Sequence, residues 1–326
     1  MTEYRGKRVL FPEVGKVEIA DWSSEGPKKG QVMMKNIASL VSAGTELSIL
    51  YGYHTKPRTY PRNSGYASCA EVVEVGESVE HISEGELYVC SMGHISHLNV
   101  DTEKLVPVPE GIKPEHAVFS IVGAISLRAV RQANITVGDS VLVVGLGLIG
   151  QFAQIFSRIA GGIPVAGADL SGYRRSIGEK TGLIHALDPK ADDYEEKLNS
   201  ISPQGRFGAV LDSTGTPDVF AGLPEYTADN GRIIILGGVH KKVEFDFYTH
   251  AMKRNLSIIG AGYPDPRDWP YDRFENWNVI LSLMAEGRLD VSPLLTHHVD
   301  YTEAPDMYPM LRDDKDRVLG TVFKWR

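Results

Sequence analysis

The stretch VLVVGLGLIG at residues 141–150 decides the fold of this 326-residue chain, because an apolar strand pattern runs directly into three spaced glycines. Gly145 permits a tight turn, Gly147 lets the backbone approach a pyrophosphate, and Gly150 lets the following helix pack against the strand. That helix presents free N–H groups and its positive end to the anion. The stretch therefore predicts a dinucleotide site. Its predicted binding residues are Gly145, Gly147, Leu148, Ile149 and Gly150.

A carboxylate follows the next strand at the spacing that dinucleotide sites use. The apolar pattern Ile163–Ala168 ends at Asp169, twenty-four residues after Gly145, where a carboxylate accepts both ribose hydroxyls. Asp169 favours NAD because its charge repels a 2′-phosphate, whereas Arg174 nearby leaves NADP open. Small residues also follow two later strands, where ligands bind in parallel sheets. These further cofactor candidates are Thr214, Gly215, Leu236, Gly237 and Gly238.

The pattern of the chain changes near residue 114. Residues 1–110 read as short strands between turns, whereas from 140 to about 262 apolar strands alternate with helical stretches. The alternation predicts a doubly wound α/β domain with a parallel sheet, beside a β-rich domain. Strand patterns occur at Lys7–Pro12, Gln31–Leu40, Ser68–Val75, Val141–Val144, Ile163–Ala168, Ala209–Leu211, Arg232–Leu236 and Leu256–Ile259. Helical patterns occur at Pro114–Ala133, Gln151–Ile159 and Asp272–Glu286.

Composition argues against several classes of protein. The net charge is −8 with both signs interspersed, so no basic stripe points to nucleic acid. No apolar run is long enough to cross a bilayer, and the first residues lack the apolar core of a signal peptide. The two cysteines, Cys69 and Cys90, argue against a disulfide framework and are expected in the core. We therefore expect a cytoplasmic protein that acts on a small molecule.

Three motifs resemble those of the medium-chain dehydrogenase/reductase superfamily. Residues 42–46 read SAGTE where zinc alcohol dehydrogenases read CGTD, residues 65–76 read GYASCAEVVEVG where they read GHExxGxVxxVG, and VGD at 137–139 precedes the nucleotide strand. The resemblance implies a GroES-like catalytic domain at 1–122, a Rossmann domain at 123–263 and a return to the catalytic domain at 264–326. It also implies a homodimer joined through the exposed edge strand of the Rossmann sheet, and a wall beside the nicotinamide at Tyr263.

The residues that bind zinc in the family have been replaced here. At two of the ligand positions stand Ala43 and Tyr66, the third falls at or next to Ile121, and Ala67 replaces the glutamate beside the second ligand. A catalytic zinc needs about three protein ligands and an open position, so the resemblance implies a member without that metal. The cluster of four cysteines that holds a structural zinc in many relatives is also missing from the sequence.

Without zinc, hydrogen-bond donors must stabilise the oxygen of the reacting carbon. Thr45 matches the hydroxyl that relays the substrate proton in the zinc relatives. Tyr66 stands where a ligand would point into the site, so we predict that its phenol donates to the substrate oxygen or exchanges its proton. Glu46 matches an acid that supports the ligand shell, and we predict that it orients Tyr66. Two structural interpretations stay open: Tyr66 fills the volume of the metal, and Glu46 has only a structural role.

Residues 51–63 lie between the two altered motifs and border the substrate cleft in the family. The segment is rich in tyrosines, which stack on sugars or rings, and in arginines, which bind carboxylates or phosphates. His54 is the imidazole best suited to exchange a proton near neutrality. The alternative interpretation is an exposed loop. The predicted substrate contacts are Tyr51, Tyr53, Arg62 and Asn63.

The leading hypothesis is zinc-independent hydride transfer between a nicotinamide and a secondary alcohol or ketone. The substrate would be polar: a sugar, a polyol or an acidic ring compound. One alternative is an NADPH-dependent reductase of quinones or enones, which Asp169 disfavours. Another is a non-catalytic dinucleotide-binding protein, which the polar residues at 51–66 disfavour.

Overall fold

A computed structural model describes residues 2–53, 58–238, 241–262, 271–314 and 316–325. The strands are β1 Glu3–Phe11, β2 Glu18–Glu25, β3 Gln31–Leu40, β4 Arg62–Asn63, β5 Ser68–Val75, β6 Leu87–Cys90, β7 His97–Asp101, β8 Val106–Pro107, β9 Val141–Val144, β10 Val165–Ala168, β11 His185–Leu187, β12 Phe207–Asp212, β13 Thr227–Ile235, β14 Ser257–Gly260, β15 Leu295–Asp300 and β16 Gly320–Lys324. The α-helices are α1 Ala43–Leu50, α2 Pro114–Ala117, α3 Phe119–Gln132, α4 Leu148–Ile159, α5 Gly172–Lys180, α6 Tyr194–Ile201, α7 Pro217–Gly222, α8 Arg273–Ala285 and α9 Ala304–Asp313.

The chain divides into two compact units. The first unit comprises Met1–Ala124 and Trp269–Arg326, and the second comprises Ile125–Asp268. The first unit is rich in antiparallel strands, whereas the second carries one parallel sheet with helices between its strands. The fold class predicted from the sequence, a Rossmann-type parallel sheet with a separate β-rich domain, is therefore confirmed.

The first unit is built on two sheets. Strands β2, β1 and β4 form an antiparallel sheet, and the larger sheet has the order β15-β16-β3-β5-β6-β8, with β7 also paired to β3. Phe11, Tyr308 and Phe323 pack in one buried cluster, which joins β1, α9 and β16. Helix α1 begins at Ala43, soon after β3 ends at Leu40. Ser42 of the SAGTE motif therefore lies in the connection between the larger sheet and α1, and the other four residues form the start of α1.

The second unit is one six-stranded sheet in the order β11-β10-β9-β12-β13-β14, and its neighbouring strands run parallel. The strand order reverses at β9, because β10 lies on one side of it and β12 on the other. Buried side chains such as Leu142, Val210 and Ile233 pack in one cluster with residues of the helices. In sheets of this kind, ligands bind outside the carboxyl ends of the strands where the order reverses. The carboxyl end of β9 leads into the glycine stretch.

Most observed bounds follow the sequence patterns, but β1 begins at Glu3 and β13 at Thr227, earlier than predicted, and the pattern at 114–133 forms two helices. Two further shifts are informative. Strand β10 begins at Val165 and not at Ile163, because Pro164 has no N–H to contribute to a β-ladder. Helix α4 begins at Leu148 and not at Gln151, so the last glycine of the stretch lies inside the helix. Within the ranges given above, no helix has both the length and the apolar character needed to span a bilayer.

Candidate active site

The glycine stretch forms a tight turn directly beneath the start of α4. Gly145 has a φ of +87°, which side-chain-bearing residues rarely adopt. A Cβ on Gly150 would lie 1.8 Å from the carbonyl oxygen of Gly145, so the helix packs against the turn itself. Gly147 is the N-cap of α4 and has no side chain to accept its first N–H groups. The N–H groups of Leu148 and Ile149 therefore begin the helix without a side-chain cap, which suits an anion.

Asp169 is tied to this turn. Its Oδ2 accepts the Leu146 N–H at 2.7 Å, and its Oδ1 accepts the Ser171 N–H at 2.8 Å. Arg174 Nη1 lies 3.8 Å from the same Oδ2. Each carboxylate oxygen keeps a lone pair for a further donor such as a ribose hydroxyl. The structure thus places Asp169 and Arg174 beside the glycine turn.

Three of the remaining cofactor candidates, Thr214, Leu236 and Gly237, hydrogen-bond to Asp212. Asp212 was not named as a site residue in our sequence analysis. Its Oδ1 accepts the N–H of Thr214 at 2.8 Å and the Thr214 hydroxyl at 2.7 Å. Its backbone carbonyl accepts the N–H groups of Leu236 and Gly237. Burial raises the pKa of Asp212, and the two Thr214 donors offset only part of that rise. An acid followed two residues later by threonine at a strand end was the sequence signal for this hub.

Close backbone packing explains the glycines beside Asp212. Gly215 has a φ of +65°, and a Cβ there would lie 2.7 Å from the Gly238 carbonyl oxygen. A Cβ on Gly237 would lie 2.3 Å from the Gly215 nitrogen. The loops after β12 and β13 therefore touch through backbone alone. A side chain at either glycine would push the two loops apart.

In the first unit, Tyr66 is held by hydroxyl groups. Its phenol donates to Ser42 Oγ at 2.7 Å, and the Thr45 hydroxyl also hydrogen-bonds to it. Burial raises the pKa of Tyr66, the charge of Glu46 raises it further, and the hydrogen bonds to Ser42 and Thr45 offset only part of the rise. Thr45 is exposed, whereas Tyr66 is half-buried. The phenol is therefore neutral near pH 7 and linked to solvent through Thr45.

Glu46 meets Tyr66 through Ser42. The Glu46 carboxylate is 1% exposed and accepts the Ser42 N–H at 2.7 Å. It also accepts the Tyr308 hydroxyl at 2.5 Å and lies 3.1 Å from His94 Nε2. Burial by itself raises the pKa of Glu46, but His94, Tyr308 and the Ser42 N–H outweigh burial and hold that pKa below its usual value. The carboxylate is therefore charged and fixed.

The buried hydrogen bonds around Glu46 extend through His94 to Ser39 and Trp325. His94 Nδ1 lies 2.7 Å from Ser39 Oγ, and the Trp325 indole N–H donates to the same oxygen at 2.8 Å. The His94 ring packs edge-on against Phe323, with centroids 5.0 Å apart. The sequence offered no signal for this network, because its members lie far apart along the chain.

The predicted substrate residues form two separate groups. Tyr51 and Tyr53 stack with centroids 5.9 Å apart, and the Arg312 guanidinium lies 4.6 Å from the Tyr51 ring centre. Arg62 and Asn63 instead form β4, which pairs with β1, and Asn63 Oδ1 accepts Arg8 Nη1 at 3.0 Å. The structure therefore brings the two tyrosines together. His54 and Tyr263 lie outside the described residues.

Known proteins resemble the chain over almost its whole length. A family model for zinc-binding dehydrogenases matches residues 149–275. L-threonine 3-dehydrogenase of Pyrococcus furiosus is 25% identical over 93% of this chain and 94% of its own length. L-galactonate-5-dehydrogenase of Escherichia coli K12 is 26% identical over 86% and 88%. An alcohol dehydrogenase of E. coli CFT073, solved with NADH, superposes with a TM-score of 0.85 at 18% identity over 98% and 99%. The chain is thus similar to dehydrogenases over almost its whole length, and its fold is that of dehydrogenases of known structure.

The relatives and structures to which the chain is similar are dehydrogenases, and one of those structures was solved with NADH. The glycine turn, Asp169 and the Asp212 hub are the part of the second unit that fits a dinucleotide. The first unit departs from the zinc dehydrogenases of the superfamily where Tyr66, Ala43 and Ile121 stand.

Proposed function

We propose that this chain is a zinc-independent NAD(P)-dependent dehydrogenase that transfers a hydride between the nicotinamide and a secondary alcohol or ketone of a polar substrate. The observation that carries the proposal is the Tyr66 phenol. It is neutral, half-buried and held by the hydroxyls of Ser42 and Thr45, at the sequence position of a zinc ligand in relatives. The relatives named for L-threonine and L-galactonate support a polar substrate.

The donor set around Tyr66 does not fit a zinc ion. Ala43 and Ile121 offer only carbon, and Ile121 is 4% exposed within α3. The phenol is a poor metal ligand while protonated, and burial raises its pKa. Glu46 is the nearby carboxylate, but Ser42, His94 and Tyr308 already engage it. The proposed reaction therefore uses no metal.

The residues of the first unit supply what the metal would otherwise supply. The nicotinamide, when bound, accepts the hydride that leaves the carbinol carbon of the substrate. The Tyr66 phenol donates a hydrogen bond to the substrate oxygen and stabilises the negative charge that develops there. When an alcohol is oxidised, its hydroxyl proton moves to the Tyr66 oxygen while the phenol proton leaves to solvent through the exposed Thr45 hydroxyl. When a ketone is reduced, the phenol gives its proton to the alkoxide oxygen and takes another from solvent through Thr45.

We propose NAD as the preferred cofactor. The Asp169 carboxylate is fixed at the glycine turn by the N–H groups of Leu146 and Ser171, so it can receive ribose hydroxyls and repel a 2′-phosphate. Arg174 lies beside Asp169 and keeps some affinity for NADP.

The deciding experiment assays the purified enzyme with NAD⁺ and NADP⁺ against a panel of polyols, sugars and hydroxy acids, with and without a chelator. We expect NAD⁺ reduction with at least one member of the panel and no loss of rate after chelation. Elemental analysis of the active protein should find far less than one zinc per chain. Stoichiometric zinc together with chelator-sensitive activity would overturn the proposal, as would NADPH consumption with enones or quinones and no alcohol oxidation.

A further inference from the structure

We infer that Ser42 is a positioning residue that fixes the Tyr66 phenol, and that Glu46 acts on Tyr66 by clamping Ser42. The inference rests on the proposed function, since it names the residue that aims the proposed donor. Ser42 precedes α1 and is 8% exposed. Its Oγ accepts the Tyr66 hydroxyl at 2.7 Å. Nothing in the zinc-binding pattern of the superfamily calls for a hydroxyl at this position.

The Ser42 hydroxyl does not make the hydrogen bond that is usual for a serine at the N-cap of a helix. Serine at an N-cap usually accepts the N–H of the second or third helical residue. Ser42 occupies the N-cap of α1 but makes no such side-chain bond. Its oxygen serves Tyr66 instead. The N-terminus of α1 thus lacks a side-chain cap, and the Tyr66 phenol has a fixed hydrogen-bond acceptor.

Glu46 holds the Ser42 backbone from two sides. Its Oε1 accepts the Ser42 N–H at 2.7 Å, and its own N–H donates to the Ser42 carbonyl at 2.9 Å. Both contacts fix the Ser42 backbone, and the hydrogen bond from Tyr66 then selects the direction of Oγ. The Glu46 carboxylate is itself immobile, because Tyr308 and the fully buried His94 occupy its other oxygen.

The arrangement suits a donor that must change partners. When a substrate oxygen takes the phenol proton in a hydrogen bond, the Ser42 hydroxyl can turn its own proton toward the phenol oxygen. That bond stabilises the partial negative charge on Tyr66 as its proton moves toward the substrate. Ser42 touches the phenol and not the substrate, so its effect on the rate requires Tyr66.

A double-mutant cycle tests this dependence. Ser42→Ala should lower kcat by about tenfold and leave the dissociation constant of NADH within about twofold. The same substitution in a Tyr66→Phe background should change kcat by less than about twofold, because the partner is gone. Ser42→Thr keeps the hydroxyl and should restore most of the rate. An equal, additive loss in both backgrounds would overturn the inference.

Ser48 provides the matched control. It lies on the same helix and is 6% exposed, and its hydroxyl has no hydrogen-bond partner among the residues that the structure describes. Ser48→Ala should leave both kcat and its pH profile unchanged, whereas Ser42→Ala should move the profile. If both variants lower kcat alike with no change in profile, Ser42 has only a structural role. Ser42→Cys, whose thiol is somewhat larger but only a weak hydrogen-bonding group, replaces Ser42→Ala if the alanine variant fails to fold.

A stability cycle separates this inference from the proposed function. The urea midpoint should fall for Ser42→Ala in the wild-type background and fall less in the Tyr66→Phe background, because the Ser42–Tyr66 hydrogen bond is already lost there. This readout needs no substrate. If the protein oxidises no alcohol but the coupling between Ser42 and Tyr66 is present, only the proposed function is wrong. An active enzyme without the coupling would remove the role of Ser42.

Discussion

Tyr66 is the residue on which the proposed chemistry depends. Its phenol is a hydrogen-bond donor. Burial raises the pKa of the phenol, so it keeps its proton, and Ser42 Oγ accepts its hydrogen bond. A neutral donor stabilises a developing alkoxide without first losing its own proton. The alternative interpretation, in which the ring only fills space, makes the hydroxyl dispensable.

Tyr66→Phe should therefore lower kcat by roughly 100-fold while the dissociation constant of NADH changes by less than about twofold. Steady-state kinetics with the best substrate of the panel, and a fluorescence titration with NADH, measure the two quantities. Tyr88→Phe is the control, because Tyr88 is another buried tyrosine of the first unit whose hydroxyl binds Glu86. Equal activity of Tyr66→Phe and the wild type would leave the ring with a space-filling role.

Glu46 gives a prediction about pH and stability. Its pKa lies below the ordinary value of 4.5 in the folded chain, so the charged carboxylate stabilises the fold above that value. This stabilisation is lost as the pH falls through the folded pKa. Wild-type protein should exceed Glu46→Gln in free energy of unfolding at about pH 6, and the excess should shrink steadily below about pH 4.5. Urea titrations across this range measure it, and a pH-independent difference would contradict the prediction.

Single elements were predictable where one pattern decided them. Strands β3, β5 and β9 have the bounds that their apolar patterns predict, because the alternation or the apolar run ends at a turn residue. The position of α4 followed from the glycine spacing, although its first residue did not. The Glu46 network was not predictable. His94 and Tyr308 lie 48 and 262 positions from Glu46, and local patterns carry no information about such pairs.

The junction of β9 and α4 allows a direct test of close packing. Gly150→Ala places a Cβ 1.8 Å from a backbone oxygen, so the helix must shift. We expect a loss of about 1–3 kcal/mol in stability and weaker NADH binding. Gly222→Ala is the matched control in α7, since a Cβ there meets nothing within 4 Å, and it should be neutral or slightly stabilising. Chemical denaturation and cofactor titration measure both variants, and a harmless Gly150→Ala would contradict the packing argument.

The loop after β10 sets the choice of cofactor. Asp169→Asn removes the negative charge, so NAD⁺ binding should weaken by about tenfold and the preference for NAD⁺ over NADP⁺ should shrink. Asp188→Asn is the control, because Asp188 is a partly exposed acid that pairs with Arg175 at 3.0 Å. Equilibrium titrations with both dinucleotides measure the ratio. An unchanged ratio in Asp169→Asn would assign the selectivity to other residues.

At the scale of the whole molecule, the two units divide the work of the proposed enzyme: the second carries the dinucleotide edge and the first carries the Tyr66 cluster. The sequence indicated both, because the glycine stretch and the motif around Tyr66 are local.

We also propose a homodimer formed through β14, the edge strand of the parallel sheet, whose end residues Ser257 and Gly260 are exposed. Sedimentation equilibrium should give twice the chain mass, and a monomer at micromolar concentration would contradict this proposal.

The indole of Trp325, hydrogen-bonded to Ser39 behind His94, has a practical consequence. It is 6% exposed, so its emission should be blue-shifted relative to that of a tryptophan in water. Titration or mutation of its buried neighbours should alter the intensity of that emission. In a variant with Trp22, Trp269 and Trp277 replaced by phenylalanine, Trp325 would therefore be an optical probe of the buried network around Glu46, readable without a label and before any substrate has been found.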